Sequence, residues 1–456
     1  MEQTCLHVLK LNVLNHQPFT SDILFLILCL TSNRDFTRKC NRFVIVDIAR
    51  AMNTNAFLVV LFGFVTLVNC DLEVQLLHVL FRHGDKVPHR AYQNYPNDPY
   101  RDYSYYPMGD GDLTNEGKLR EYKIGLMLRE RYNGYFGSDY WPDKIYGLTT
   151  DVPRTQLSIQ LVLAGLFPPS EKQIWNPHLP WIPTWTTSAT PHDIQSLLFP
   201  HYCPRYQEEY ARFLEQDDIQ EMIKKYKNVF SYLTDHTGKI VNTTKAIQYL
   251  YNLLKEEAAQ NLTLPKWTEN VFPSPLKEMT ILDFNLRSYT KTLKRLNGGM
   301  LLRRIVNDID LYQKGRLQPT DRKAFLFSAH EVNVAALART LGTNEPLLPA
   351  YGSTIILETL RDKKGTYYIR VLLWTGVTEK LIIQTIPGCN ELCPYNEFRH
   401  LLNDVIATDE EILCRRKDHN NNNNNNNNNH HRHVSSSTNI NLDKLMFYLL
   451  GISVNN

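Results

Sequence analysis

The run VQLLHVLF at residues 74–81 constrains the fold more strongly than any other segment of the chain. It is almost continuously apolar, it contains β-branched and aromatic residues, and a turn at Gly84 follows it. Such a run is typical of a strand buried on both faces of a parallel sheet. Because ligands of open α/β sheets bind at the carboxyl ends of strands, we expect the chemistry to lie at Arg82 and His83.

Helical and strand patterns alternate after this strand. One helix is predicted from Thr114 and a second after Pro153, and residues 144–148 between them can form a short strand. The order strand, helix, strand, helix is typical of an α/β sheet. The residues predicted to form the apolar faces are Leu119, Tyr122, Leu126 and Met127 in the first helix, and Leu157, Leu161 and Ala164 in the second.

The middle of the chain changes character. Residues 207–313 contain long amphipathic stretches and few strand-like runs, which predicts a helical insert, or cap, at about residues 200–315. Strand patterns return at residues 324–328, 354–360 and 367–374, and the last two flank a turn at 362–365. The predicted fold class is therefore α/β, with a mainly parallel sheet flanked by helices and with an inserted helical cap.

The two ends of the chain are predicted to lie outside this domain. The apolar block at residues 57–68, with Val68 at −3 and Cys70 at −1 before Asp71, predicts a signal peptide at 52–70. This makes Met52 the initiator and residues 1–51 an upstream, unstructured extension. A cytoplasmic extension before a signal anchor is the alternative, although the block is shorter than the roughly 20 residues of a spanning helix. The asparagine run at 420–429 predicts that 419–456 is a low-complexity tail, which leaves 71–418 as the folded domain.

Charge and composition restrict the partners. A formal net charge of +3 from 50 basic and 47 acidic residues gives no whole-chain field for nucleic acid or a membrane surface. We therefore expect no nucleic-acid partner, no stable membrane span and only local recognition of anions. The hydrophobic content of 43% is that of a folded domain.

Cysteines and sequons agree with a secreted protein. Outside residues 1–70 the cysteines are Cys203, Cys389, Cys393 and Cys414. Four cysteines allow three pairings; Cys389 and Cys393 are close enough for a local disulfide, which would leave Cys203 with Cys414. A zinc site is the competing interpretation, but one C-x3-C pair is poor ligand spacing. The sequons at Asn242 and Asn261 predict glycosylation if the chain enters the secretory pathway.

The segment RHGDKVP at residues 82–88 carries the chemistry expected at the end of the first strand. A neutral imidazole at His83 is a good nucleophile, and cations on both sides attract a phosphate dianion and neutralise its oxygens. We expect Gly84 to let the backbone approach the phosphate closely. Taken singly, such a triplet also arises by chance.

This segment resembles the Arg-His-Gly-x-Arg-x-Pro signature of the histidine acid phosphatases, a branch of the phosphoglycerate-mutase-like superfamily. TDVPRT at 150–155 with LAGLFPP at 163–169 resembles the family segment that carries a further phosphate-binding arginine. FSAHE at 327–331 resembles the family's Ser-Ala-His-Asp segment. The three motifs follow the family's order, and the resemblance extends over about residues 72–414.

The resemblance implies a two-step hydrolysis without metal or cofactor. His83 attacks phosphorus while Glu331 protonates the leaving alcohol, and water then hydrolyses the phosphohistidine with Glu331 as base. Acid pH keeps the donor protonated. The implied phosphate ligands are Arg82, Lys86, Arg154 and His330.

Two residues depart from the family pattern. Lys86 replaces an arginine and cannot make a bidentate contact, and Glu331 replaces an aspartate and adds a methylene. These departures motivate an alternative hypothesis, a secreted relative that binds phosphate esters or a receptor with little turnover. A phosphomutase is a third hypothesis, against which secretion and the acid beside His330 argue.

Further details resemble the secreted animal branch of the family. The tyrosine-rich segment 92–106 looks most like the insect enzymes, including venom acid phosphatases, and the two cysteine pairs resemble that family's disulfides. The implied location is extracellular, or lysosomal, and the implied partners are small phosphate monoesters or phosphoproteins. A homodimer is compatible with the sequence, which records neither the oligomeric state nor the physiological substrate.

Overall fold

The structure, a computed structural model, describes residues 72–189 and 202–415, together with the backbone of two short strands nearer the amino terminus. Those strands, Leu26–Ile27 and Ile45–Val46, pair antiparallel. Apart from them, the predicted extension at 1–51, the signal peptide at 52–70 and the tail at 419–456 lie outside the described residues.

An eight-stranded sheet runs through the domain that begins at Val74. Its strands are β1 (Glu73–Arg82), β2 (Ile145–Thr149), β3 (Thr187–Ser188), β4 (Ala324–Ala329), β5 (Thr354–Arg361), β6 (Tyr367–Trp374), β7 (Leu381–Gln384) and β8 (Cys393–Pro394). The order is β8-β6-β5-β1-β4-β2-β3, and β7 also pairs with β6. β1, β4, β2 and β3 pair parallel, whereas β6 pairs antiparallel with β5, β7 and β8. The fold is thus α/β with a parallel centre, as the sequence predicts, and an antiparallel extension on one side.

Helices surround this sheet. They are α1 (Arg90–Gln93), α2 (Asn115–Phe136), α3 (Pro153–Leu166), α4 (Pro204–Leu214), α5 (Asp217–Lys224), α6 (Lys227–Thr237), α7 (Thr244–Ala259), α8 (Leu276–Arg287), α9 (Lys291–Leu296), α10 (Gly298–Gln313), α11 (Glu331–Leu341) and α12 (Tyr395–Leu402). Short 3-10 turns lie at Pro142–Lys144, Glu171–Gln173, Lys266–Asn270, Asn403–Val405 and Glu411–Leu413. In the described part of the chain, no helix is both long and apolar enough to cross a membrane.

The predicted core faces of α2 and α3 are wrong, although both helices exist. Leu119, Leu126 and Leu157 are exposed, and Met127 alone of the predicted set is buried. The two helices pack through glycines instead. A Cβ on Gly125 would lie 2.1 Å from the Val162 carbonyl oxygen, so the backbones approach too closely for larger side chains. Each helix still has an apolar face in the core, but at other positions, among them Ile124 and Leu128 of α2 and Ile159 of α3.

The predicted insert is helical, and most of it packs on itself. α4 to α9 contribute to two apolar clusters separate from the sheet, one around Leu254 and one around Phe213. α10 differs, because Leu301 and Ile305 belong to the cluster against the sheet. This last helix of the predicted insert therefore packs on the sheet, and the cap boundary at about 315 stays a prediction.

Two disulfides join distant and local parts of the domain. Cys203, at the start of α4, bonds to Cys414, and the two are 211 residues apart in sequence. Cys389 bonds to Cys393, four residues away. None of these four cysteines is available to a zinc site in this state.

Candidate active site

The carboxyl ends of three adjacent parallel strands bring the sequence motifs together. His83 follows β1, Thr150 follows β2 and His330 follows β4. All six residues predicted to act in the site lie here, and each is at most 8% exposed: Arg82, His83, Lys86, Arg154, His330 and Glu331. Buried charges need partners, so the contacts of each side chain decide what it can do.

His83 is held in one tautomer by its two neighbours. Its Nδ1 lies 2.9 Å from the Gly84 carbonyl oxygen, and the Nε of Arg154 donates to its Nε2 at 3.1 Å. Because one ring nitrogen faces an acceptor and the other a donor, the ring is neutral with its lone pair on Nε2. Burial, followed by the charge of Arg154 and the neighbouring His330, lowers the pKa of His83 well below its ordinary value.

Gly84 packs closely against the start of α2. A Cβ at this position would lie 2.3 Å from the carbonyl oxygen of Gly117, in the first turn of α2. Gly117 in turn has room for no side chain, since its Cβ would lie 2.1 Å from the Asp85 carbonyl oxygen. The glycine of the motif is thus required for contact between the His83 loop and α2, and the expected close approach of its backbone to phosphate stays a prediction.

Arg82 and Glu331 form an ion pair at the centre of the site. Nη2 of Arg82 lies 2.8 Å from Oε2 of Glu331. The guanidinium also donates to the Pro349 carbonyl oxygen at 2.7 Å and lies 3.9 Å above the ring of Tyr351. These three contacts fix its plane, so Arg82 presents a defined guanidinium beside His83.

Glu331 is held as a carboxylate. Its Oε1 accepts from the side-chain amides of Gln248 at 2.5 Å and Asn252 at 2.7 Å. Burial alone would raise the pKa of Glu331, but the charge of Arg82 and the two amide donors outweigh it and hold the pKa below its ordinary value. In the free protein, Glu331 is therefore an acceptor of hydrogen bonds rather than a donor.

The ring of His330 lies edge-on to that of His83, with ring centroids 5.3 Å apart. Its Nε2 is 2.9 Å from Oγ1 of Thr150, the first residue after β2. The Oδ1 of Asn333 accepts from its backbone N–H at 2.9 Å, which fixes the start of α11. His330 is thus positioned by the residue that follows β2 and by Asn333 in the first turn of α11.

Lys86 differs from the other cations, because protein acceptors surround its ammonium group. Its Nζ donates to Oε2 of Glu256 at 2.8 Å, to Oε1 of Gln93 at 2.7 Å and to the Val87 carbonyl oxygen at 3.2 Å. An ammonium has three N–H donors, so these contacts use all of them. Burial is the largest cause that lowers the pKa of Lys86 to about 8.

One face of α7 supplies site residues that sequence reasoning missed. Gln248, Asn252 and Glu256 are buried polar residues four positions apart, so they lie along a single face of the helix. Gln248 is oriented further by Arg287, whose Nη2 donates to its Oε1 at 3.2 Å. The repeating polar residues at i, i+4 and i+8 are a signal that could have been recognised in the sequence.

The cleft above these groups has a volume of about 480 Å³. Tyr92 and Tyr249 form part of its wall, with ring centroids 5.3 Å apart. The Nη2 of Arg154 donates to the hydroxyl of Tyr92 at 3.3 Å. Within residues 72–189 and 202–415, no group of three or more His, Cys, Asp or Glu side chains is placed to hold a metal ion.

Comparison with known proteins gives a family and named relatives. The family model of the histidine phosphatase superfamily (branch 2) matches residues 73–374. Venom acid phosphatase Acph-1 of Apis mellifera is 36% identical over 348 residues, which cover 76% of this chain and 89% of that protein. Prostatic acid phosphatase of Bos taurus is 32% identical over 349 residues, which cover 75% of this chain and 88% of that protein.

Solved structures show the same fold at lower identity. The Klebsiella sp ASR1 phytase matches with a TM-score of 0.56 at 17% identity, over 75% of this chain and 98% of that one. The Hafnia alvei phytase in complex with tartrate matches with a TM-score of 0.54, also at 17% identity, with the same coverage. These similarities concern the fold alone.

Proposed function

This chain belongs to branch 2 of the histidine phosphatase superfamily and is an acid phosphatase of that family, and we propose that it hydrolyses phosphate monoesters through a phosphohistidine on His83. The observation that carries the proposal is the state of the His83 ring. It is neutral, its lone pair is on Nε2, and that nitrogen faces the guanidinium of Arg154. A nucleophile and a cation that binds an oxyanion thus adjoin each other.

The first step transfers the phosphoryl group. Nε2 of His83 attacks phosphorus, the P–N bond forms, and the bond between phosphorus and the ester oxygen breaks. Arg82, Arg154 and His330 surround the nucleophile and hold the phosphoryl oxygens, while Lys86 contributes charge from the edge of the cleft. Phosphoryl transfer depends mainly on such positioning and charge stabilisation.

Glu331 supplies and then removes the proton. A bound phosphate ester shares Arg82 and adds negative charge beside the carboxylate, which raises the pKa of Glu331, so the carboxyl carries a proton at acid pH. It gives this proton to the leaving oxygen. In the second step, Glu331 takes a proton from water while that water attacks phosphorus and the P–N bond breaks, which restores neutral His83 and releases phosphate.

The proposed location is the secretory pathway, with release from the cell or delivery to lysosomes. Two disulfides are consistent with an oxidising compartment. The sequon residues Asn242 and Asn261 are both exposed, so a transferase could reach them. A loss of mass on treatment with an N-glycosidase, absent in Asn242→Gln/Asn261→Gln, would test the glycosylation.

One observation favours the binding alternative as a second candidate. The ammonium of Lys86 is fully occupied by protein acceptors, so it is not poised for a substrate. With one of the predicted phosphate ligands held by the protein, the chain could bind phosphate esters and turn them over slowly. Turnover by the purified protein separates the two functions.

The test is hydrolysis of p-nitrophenyl phosphate from pH 3 to 8 with EDTA present. We expect EDTA-resistant activity at acid pH in the wild type, no activity in His83→Ala, and full activity in the matched control His178→Ala, which changes an exposed histidine outside the cleft. Rapid acid and alkaline quenching with labelled substrate should trap an acid-labile, base-stable phosphoenzyme in the wild type only. A folded wild type without turnover would contradict the proposal.

A further inference from the structure

Glu256 is a buried carboxylate that none of the sequence motifs contains. It lies on the cap helix α7, it is 1% exposed, and it accepts from three side chains. Its Oε2 accepts from Lys86 at 2.8 Å and from Gln93 at 3.0 Å, and its Oε1 accepts from the Tyr351 hydroxyl at 2.7 Å. One side chain of the cap therefore connects three separate segments of the phosphatase domain.

The contact with Tyr351 reaches the catalytic groups. The guanidinium of Arg82 lies 3.9 Å from the centroid of the Tyr351 ring, and the His83 ring lies 5.7 Å from it. The Tyr351 ring thus packs against the Arg82 guanidinium, and the hydrogen bond to Glu256 holds that ring in place. A change at Glu256 therefore acts on Arg82 only through the Tyr351 ring, and it removes no group that touches phosphate.

The contact with Lys86 fixes the loop after His83. An ammonium directs three donors from one atom, and Glu256, Gln93 and the Val87 carbonyl oxygen receive them. A planar guanidinium carries five donors in a fixed fork, which does not match three acceptors converging on one point. The lysine at this position therefore fits its partners in the cap and the loop.

We propose that Glu256 is a positioning residue and that Lys86 is its partner rather than a phosphate ligand, so that their pair joins the cap to the phosphate-binding loop. The inference rests on the proposed function, because it assigns how the same site is held in its active geometry. Phosphate is bound by Arg82, Arg154 and His330. The replacement of the family's arginine by Lys86 is then a change of role and not a weakened contact.

The test measures turnover and phosphate binding separately in Lys86→Met, Glu256→Gln and the double variant. Turnover is kcat with p-nitrophenyl phosphate, and binding is the Kd of inorganic phosphate from calorimetry. We expect each single variant to lower kcat about tenfold and the double variant to lower it no further, since residues acting as one unit are not additive. The Kd of phosphate should stay within about threefold of the wild type in all three, because no phosphate ligand is removed.

Lys86→Met and Glu256→Gln each leave one buried charge without its partner, which could unfold the protein. Two further variants test the inference without that problem. Tyr351→Phe removes only the hydrogen bond from the Tyr351 hydroxyl to Glu256 and keeps the ring beside Arg82. It should lower kcat while leaving the Kd of phosphate unchanged. Lys86→Arg should lower kcat rather than raise it. Glu411→Gln is the matched control, because Glu411 is also a carboxylate that is 1% exposed and paired with a cation, here Arg295, but lies outside the cleft. This variant should change stability but not kcat.

Several outcomes would overturn the inference. They are a Kd of phosphate at least about tenfold weaker in Lys86→Met, a tighter Kd in Glu256→Gln, a gain of kcat/KM in Lys86→Arg, or losses that add in the double variant. Failure of the proposed function looks different, since a wild type that binds phosphate but does not turn over substrate contradicts the enzyme itself. Phosphate binding by the variants still tests the role of Lys86 in that case.

Discussion

The Nε of Arg154 lies 3.1 Å from Nε2 of His83 and donates a hydrogen bond to it. The contact orients the ring and also places a positive charge beside it. Burial and that charge together lower the pKa of His83 well below its ordinary value. An exposed imidazole would be protonated at acid pH, whereas this one keeps the lone pair that a nucleophile needs.

Replacement of Arg154 tests this coupling. Arg154→Gln removes the positive charge, so the pKa of His83 should rise and the acidic limb of the profile of kcat/KM against pH should move to higher pH. The same change removes a phosphate contact, and we expect kcat/KM to fall about a hundredfold. Steady-state assays from pH 3 to 7 measure both effects. Arg316→Gln, at an exposed site, is the control, and an unmoved acidic limb in Arg154→Gln would contradict the coupling.

The alkaline limb of the profile of kcat against pH depends on Glu331 and on the side-chain amides that donate to it. Asn252→Leu removes a hydrogen bond to Oε1 of Glu331 at similar volume, so the pKa of Glu331 should rise. The proton donor then stays protonated to higher pH, and the alkaline limb of kcat should move upward. Assays from pH 4 to 8 measure the shift, with the exposed Gln220→Leu as control. A downward shift would show that Glu331 is not the group that titrates in this limb.

The parts of the fold that could be predicted from sequence are those with strong local signals. β1 is nearly continuously apolar and ends at Arg82, so both the parallel sheet and the location of the chemistry follow from that run. The faces of α2 and α3 were predicted wrongly, because the chosen leucines are exposed whereas Ile124 and Leu128 of α2 and Ile159 of α3 lie in the core. Hydrophobic periodicity also does not predict the contact between the two helices, whose backbones approach each other at Gly125 and Gly165.

The site was predicted only in part for a related reason. The motif residues lie beside strand ends, but their partners come from the cap, where Gln248, Asn252 and Glu256 approach from another segment of the chain. Lys86 illustrates the difference. Its charge is visible in the sequence, whereas the three acceptors around its ammonium are a tertiary feature.

The close contact at Gly84 predicts a steep steric cost. In Gly84→Ala, the added methyl group would lie 2.3 Å from the carbonyl oxygen of Gly117, so the loop or α2 must move and His83 must move with it. We expect loss of more than about 90% of kcat and a lower melting temperature, since such shifts cost about 1–3 kcal/mol. Gly134→Ala is the control, because apart from its chain neighbours and the backbone of its own helix nothing lies within 4 Å of the added Cβ, and alanine favours a helix. Equal melting temperatures for the two variants would contradict this role of Gly84.

The two disulfides should differ in their contribution to stability. A disulfide lowers the entropy of the unfolded chain, and it does so more when it closes a longer loop. The Cys203–Cys414 bond spans 211 residues, whereas the Cys389–Cys393 bond spans four. Cys203→Ser/Cys414→Ser should lower the free energy of unfolding by about 5 kcal/mol in the chain-entropy model, and Cys389→Ser/Cys393→Ser by much less. Urea denaturation of both variants measures the difference. Equal losses would show that loop length does not determine the effect here.

Glu257 makes stability depend on pH. It is fully buried, neither carboxyl oxygen has a hydrogen-bond partner among the described residues, and burial raises its pKa from 4.5 to about 8. Between about pH 4.5 and 8 the carboxyl of Glu257 is ionised in the unfolded chain but still protonated in the folded one. The free energy of unfolding therefore falls as the pH rises from about 4.5 to 8. Glu257→Gln cannot ionise, and it should match the wild type at pH 4 and be more stable at pH 7, by an amount on the order of a few kcal/mol. Thermal melts at both pH values, with the exposed Glu221→Gln as control, measure this, and a difference that is the same at pH 4 and pH 7 would rule out titration of Glu257 as the cause.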